Sequence, residues 1–171
     1  MALVATEDSR FTSNSGLDAR GVVRALSAPI GGGSGGGATL EQQLAKRLYT
    51  PRDTARDMVE DAFLALKLAH TYSKDQILRM YLSDVYFGHG FYGLDAAAHG
   101  YFGRAPGRLD WAQASLLAGL VQAPSAYDPL VHLAAARARQ RHVLDRLVAT
   151  RHLSATQAAS VYHQPLHLAR L

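Results

Sequence analysis

Apolar residues recur at helical spacing along most of the chain after position 38, and no stretch alternates apolar with polar as a half-buried strand does. The clearest case is 74–86, where Ile77, Leu78, Tyr81, Leu82 and Val85 line one side, Ser73 caps the start, and Gly88, Gly90 and Gly93 end the pattern. Thr39 can cap a helix to about Leu48, with Gln42 as its capping-box partner and Pro51 beyond the end. A third helix is predicted over 54–71, with Met58, Ala62, Ala65, Leu66 and Ala69 as its apolar side. Further helices are predicted over 94–101, from Asp110 to about Val121 ahead of Pro124, over 131–149, and from Thr156 to His163. Residues 2–8 read as the end of a helix or a buried segment, and 17–27 as a short helix with Leu17, Val22, Val23 and Leu26 inward. The pattern predicts an all-α fold without internal repeats.

At 171 residues, 48% of them hydrophobic, the chain has the length of one domain and the material for a real core. Its 18 Lys+Arg against 14 Asp+Glu point to an anionic partner: nucleic acid, phospholipid or a diphosphate. The basic residues are not interleaved with aromatics on one face, which argues against nucleic acid. With no cysteine, disulfides and Cys-metal sites are excluded, and the eight histidines lack metal-ligand spacing. His89 reads as a loop residue, and Tyr86-Phe87 and Tyr101-Phe102 as core rather than a stacking platform. No run of 18 apolar residues spans a bilayer and no signal peptide is visible. Ala28-Pro29-Ile30 leads into GGGSGGG at 31–37, so 28–38 reads as a flexible loop, natural or an engineered linker. It is not a P-loop, because no Gly-Lys-Ser/Thr follows.

Three constellations carry chemistry. Glu7-Asp8 follows an apolar stretch and precedes Phe11, with Asn14, Gly16 and Asp18 after it. A half-buried carboxylate in such a place can be held as a base near neutrality. The second is Gly37-Ala38-Thr39-Leu40-Glu41-Gln42-Gln43-Leu44-Ala45-Lys46-Arg47. A helix start after glycines can bind an anion through its unpaired amides, and Gln43 and Lys46 lie one turn apart. The third is Arg52, Arg56, Glu60 and Asp61, which reads as a surface ion-pair ladder or as a diphosphate clamp beside a second carboxylate.

Taken in order, five segments resemble the motifs of the peptidoglycan glycosyltransferase domain of class A penicillin-binding proteins and monofunctional transglycosylases. They are TEDSRF at 6–11, GATLEQQLAK at 37–46, the segment from Arg56 to Leu68, YSKDQILRMYL at 72–82 with VYFGHGFYG at 85–93 and AAAHGYFG at 96–103, and LDWAQASLLAGLVQAPSAYDP at 109–129. The resemblance covers nearly the whole of 1–171. It implies an all-α, lysozyme-like fold with a large lobe and a smaller membrane-facing jaw. A membrane anchor and a first helix would precede Met1, and 28–38 would fall in the mobile region between the first two motifs.

The resemblance also implies a reaction. Lipid II units are joined into glycan strands as an acceptor 4-hydroxyl attacks the donor's anomeric carbon, undecaprenyl diphosphate leaves, and configuration inverts. Glu7 matches the general base, and Glu60 or Asp61 the second carboxylate, depending on which end of the third motif is counted from. Asp8, Phe11, Arg24, Thr39, Gln42, Gln43, Lys46, Arg52 and Arg56 match substrate-binding positions, the basic ones stabilising the leaving diphosphate. No organic cofactor is required, and a divalent cation (Mg or Mn) has a place at the diphosphate without a ligand set that demands it. The implied partners are lipid II, the growing lipid-linked strand, the membrane surface and other cell-wall synthesis proteins. The implied location is the extracytoplasmic face of the bacterial cell membrane.

Some positions depart from the family's pattern. Asn14 stands for a usual His, Ala38 for Ser, Arg47 for Asn, Gln76 for Glu, Ser83 for Asn, Gln113 for Glu, and Arg56-Asp57 for an Arg-Lys pair. They motivate an alternative, a non-catalytic module that binds lipid II or scaffolds the cell-wall machinery. A third reading, from paired carboxylates on a lysozyme-like fold, is a hydrolase.

Overall fold

The computed structural model describes residues 1–17, 38–49 and 55–169, with the side chains of 49 and 55–59 set aside. Its regular elements are helical: α1 (Ala2–Glu7), α2 (Leu40–Tyr49), α3 (Ala55–Thr71), α4 (Lys74–Asp84), α5 (Leu94–Phe102), a 3-10 turn (Pro106–Arg108), α6 (Trp111–Leu120), α7 (Leu133–Ala149) and α8 (Ala155–His163). Among the described residues the only extended pairing is an isolated bridge between Tyr86 and Tyr92. The all-α expectation holds. The helix expected over 17–27 and the loop 28–38 fall largely outside the described residues.

The chain divides into two compact units, Glu7–Tyr81 and Met1–Thr6 with Leu82–Leu171. In the first, two reciprocal caps set the helix starts. The Thr39 N–H donates to Gln42 Oε1 at 2.9 Å while the Gln42 N–H donates to Thr39 Oγ1 at 3.2 Å. Ser73 and Gln76 repeat the arrangement ahead of α4, so the glutamine that departs from the family pattern serves as a capping residue. Leu40, Leu44, Ala45, Ala65, Leu68, Ile77, Tyr81 and Phe11 are buried. Gly16, at φ +98°, lies so close to α3 that a Cβ would stand 2.6 Å from that of Ala69, and its carbonyl accepts from the Thr39 hydroxyl at 2.8 Å. The inward face of α3 differs from expectation. Leu66 is 42% exposed and Leu68 is 6% exposed. Adjacent helical positions sit about 100° apart, so a face centred on Ala65 and Leu68 turns Leu66 to solvent.

The second unit is organised by α6, whose run from Ala112 to Leu120 is apolar nearly all round and almost wholly buried. Its two buried glutamine neighbours are satisfied. Gln113 completes the capping box with Asp110 and donates to the Leu166 carbonyl at 3.2 Å. Gln140 of α7 donates to the Ala112 carbonyl and to Ser115. Helix α8 opens on a Ser154–Gln157 capping box one residue ahead of the predicted start. Helix α4 stops at Asp84 rather than 86. Val85 is already buried in the loop that follows, where the Gly93 N–H closes on its carbonyl at 2.9 Å. His89 lies in this loop at φ 52°, with Nδ1 3.0 Å from the buried Asp128 carboxylate. Phe87, Tyr101 and Phe102 are core residues, as expected.

Candidate active site

The first two constellations lie apart in the sequence, and one carboxylate joins them across 32 residues, from Asp8 to Leu40. Glu7 ends α1, and Asp8 follows in the turn beyond. Asp8 Oδ2 accepts the Leu40 N–H at 3.2 Å, in the first turn of α2. The same oxygen accepts from Asn14 Nδ2 at 2.8 Å, and Asp8 Oδ1 accepts the Arg10 N–H at 3.3 Å. Burial lifts the Asp8 carboxyl above the ordinary aspartate range, and the charge of Glu41 adds to the lift. The donors Leu40, Arg10 and Asn14 pull the other way.

This changes the reading of the α2 start. Its amides were expected to face outward for an anionic ligand. The Leu40 N–H is instead taken by Asp8 and the Gln42 N–H by Thr39. A carboxylate of the chain already occupies the positive end of the helix dipole.

Thr39 and Phe11, both expected at the substrate, are buried: Thr39 is spent on the cap and on Gly16, and Phe11 lies beneath the Lys74 ammonium, 4.8 Å from Nζ to the ring centre. Gln42 caps α2. Gln43 donates to the Ala38 carbonyl at 3.3 Å and accepts the buried Tyr81 hydroxyl at 2.8 Å. Burial raises the pKa of that hydroxyl, the negative charge of Glu7 raises it further, and Arg47 opposes them. Glu7, Gln43, Arg47 and Tyr81 therefore share one neighbourhood. Lys46 is exposed on α2. Glu60 is exposed and Asp61 half-buried on α3. Arg24 and Arg52 lie outside the described residues, as does the Arg56 side chain.

Two residues of the network were not singled out beforehand. Lys74 Nζ donates to Glu41 Oε1 at 2.5 Å and to Asn14 Oδ1 at 2.7 Å, and Glu41 is wholly buried. A signal was present in the sequence. Lys74 is the first residue of α4, where the helix dipole disfavours a cation, so a lysine there asks for a partner from elsewhere. Among the described residues, no group of three or more His, Cys, Asp or Glu side chains is placed to hold a metal ion. No described helix is long and apolar enough to cross a membrane.

The chain is helical, its first-motif Asp8 is tied to the start of the helix bearing Gln42 and Gln43, and the transglycosylase family model matches residues 1–148. The chain belongs to that family. It is 37% identical over 170 residues to penicillin-binding protein 1F of Bacillus subtilis, covering 98% of this chain and 24% of that protein. It is 38% identical over 168 residues to penicillin-binding protein 1A of Aquifex aeolicus, covering 96% and 23% respectively. With penicillin-binding protein 1A of Escherichia coli it shares 39% over 150 residues, covering 86% and 18%. The chain thus spans less than a quarter of the length of these relatives. The crystal structure of penicillin-binding protein 1A from Haemophilus influenzae shares the fold, with a TM-score of 0.54 over 77% of this chain and 17% of that one, at 24% identity.

Proposed function

We propose that this chain is a peptidoglycan glycosyltransferase that polymerises lipid II into glycan strands by inverting transfer at the outer face of the bacterial cell membrane. Membership of the transglycosylase family supports the reaction class. The observation that supports the assignment of residues is the Asp8–Leu40 hydrogen bond, which ties the residue after Glu7 to the start of the helix bearing Gln43 and Lys46.

Inversion in a single displacement needs a base on the attacking side, and Glu7 takes the proton of the acceptor hydroxyl. The bond from the anomeric carbon to the diphosphate oxygen breaks as the new glycosidic bond forms. The leaving group gains charge at that moment, and Lys46, Arg52, Arg56 and Arg24 supply the opposite charge. Gln42 and Gln43 flank the reacting sugars. Asp8, Thr39 and Phe11 support the site from beneath. Asp61, half-buried, and Glu60, exposed one position before it, are the two candidates for the second carboxylate. A divalent cation at the diphosphate would be held by the substrate's own oxygens, and no step depends on it.

The test is incubation with lipid II. The wild type is expected to form polymer, and Glu7→Gln to slow it by roughly a hundredfold or more. Polymer formation untouched by Glu7→Gln removes Glu7 as the base. Tight lipid II binding without polymer favours the non-catalytic module, and release of sugars from finished peptidoglycan favours the hydrolase.

A further inference from the structure

Lys74 stands at the centre of a ring of polar contacts that closes on itself. Its ammonium donates to Glu41 and to Asn14 and lies over the Phe11 ring. Asn14 Oδ1 also accepts the Gly16 N–H at 2.9 Å, while its Nδ2 donates to Asp8. Asp8 accepts from Leu40, the neighbour of Glu41 on α2, which completes the ring. Each amide atom of Asn14 therefore has one permitted orientation. Reversed, its NH2 would face an ammonium and its carbonyl a carboxylate.

We propose that Lys74 is a positioning residue: by gripping the Asn14 carbonyl it orients Asp8, and with it the adjoining base Glu7, while Glu41 is the buried counterion that holds Lys74 in place. The proposal rests on the transfer reaction above for its catalytic readout. Glu41 suits the counterion role because it is wholly sealed from water and its Oε2 has no hydrogen-bond partner among the described residues. A buried carboxylate left so under-bonded needs its cation. Both Glu41 and Asn14 depart from the motifs the chain resembles, the second of which usually carries Thr where Glu41 stands and the first His where Asn14 stands.

The experiment compares Lys74→Met, Glu41→Gln and the double variant, measuring kcat and KM for lipid II polymerisation across pH, with Tm as the folding check. Lys74→Met should lower kcat by roughly tenfold to a hundredfold with KM nearly unchanged, since small displacements of reacting groups act on rate. The double variant removes both charges, so it carries the test even where Lys74→Met folds poorly. It should recover Tm but not kcat, because the Asn14 carbonyl keeps the Gly16 N–H but loses the ammonium that holds it from the other side. Full recovery of kcat in the double variant would reduce Lys74 to a neutraliser of Glu41 and overturn the proposal. A change in KM alone would overturn it too, by placing Lys74 on the substrate.

A second readout needs no activity. The Asn14 side-chain amide signals should shift by NMR between the wild type and the double variant, because the carbonyl loses the ammonium while the Nδ2 protons keep Asp8. Unchanged signals there refute the proposal, whereas a wild type that makes no polymer refutes only the transfer reading.

Discussion

Asp8 meets two opposed electrostatic demands. Removal from water disfavours its charge, and the nearby Glu41 disfavours it further, while three hydrogen-bond donors favour it. The balance is a raised pKa, which fixes the sign of its effect on stability. Between the ordinary aspartate value and the raised one, the folded chain holds a proton that the unfolded chain has released, so stability falls as pH rises through that window. The advantage of wild type over Asp8→Ala, read from urea midpoints, should therefore shrink as pH climbs from about 4 toward the raised value. An advantage that grows over this range would mean the donors outweigh burial. Asp8 was legible in the sequence as a candidate, because a carboxylate pair beside Phe11 is an unusual thing to bury. Its partners were not. The Leu40 amide is 32 positions away, and only the fold brings it within reach.

At the scale of the element, helix starts were the most readable feature, because a cap is a contract between residues three apart. Thr39 with Gln42, Ser73 with Gln76 and Asp110 with Gln113 all close as reciprocal caps. Ser154 with Gln157 does the same, and it set the α8 start where the sequence reading had begun at Thr156. Ser154→Ala leaves the Gln157 amide without its acceptor in the first turn of α8. It should cost about 1 kcal/mol, seen in chemical denaturation. A loss near zero would mean that water replaces the hydroxyl. Helix faces were harder to read than helix starts. On α3 the spacing had put Leu66 on the inward side and left out Leu68. Packing chose Leu68.

At the scale of the whole molecule, the all-helical class followed from periodicity, and the described residues agree with it. The near-complete burial of α6 suits its composition, since a helix apolar nearly all round has little face to offer water. Leu116 lies fully buried on that helix, so Leu116→Ala should cost about 2–5 kcal/mol by leaving a cavity, measurable as a lowered denaturation midpoint. A cost below about 1 kcal/mol would mean that the neighbours of α6 collapse into the space.

Local rules sufficed for the helices and their caps, because each depends on residues within a turn or two of one another. Whether a side chain faces a ligand or the protein was settled by residues distant in the chain. Asp8 took the Leu40 amide expected for an anion, Phe11 went under Lys74, and Glu41 was buried against a lysine 33 positions on. Charges and hydrogen-bonding groups withdrawn from water must find partners wherever the fold delivers them, and no local pattern records where that will be.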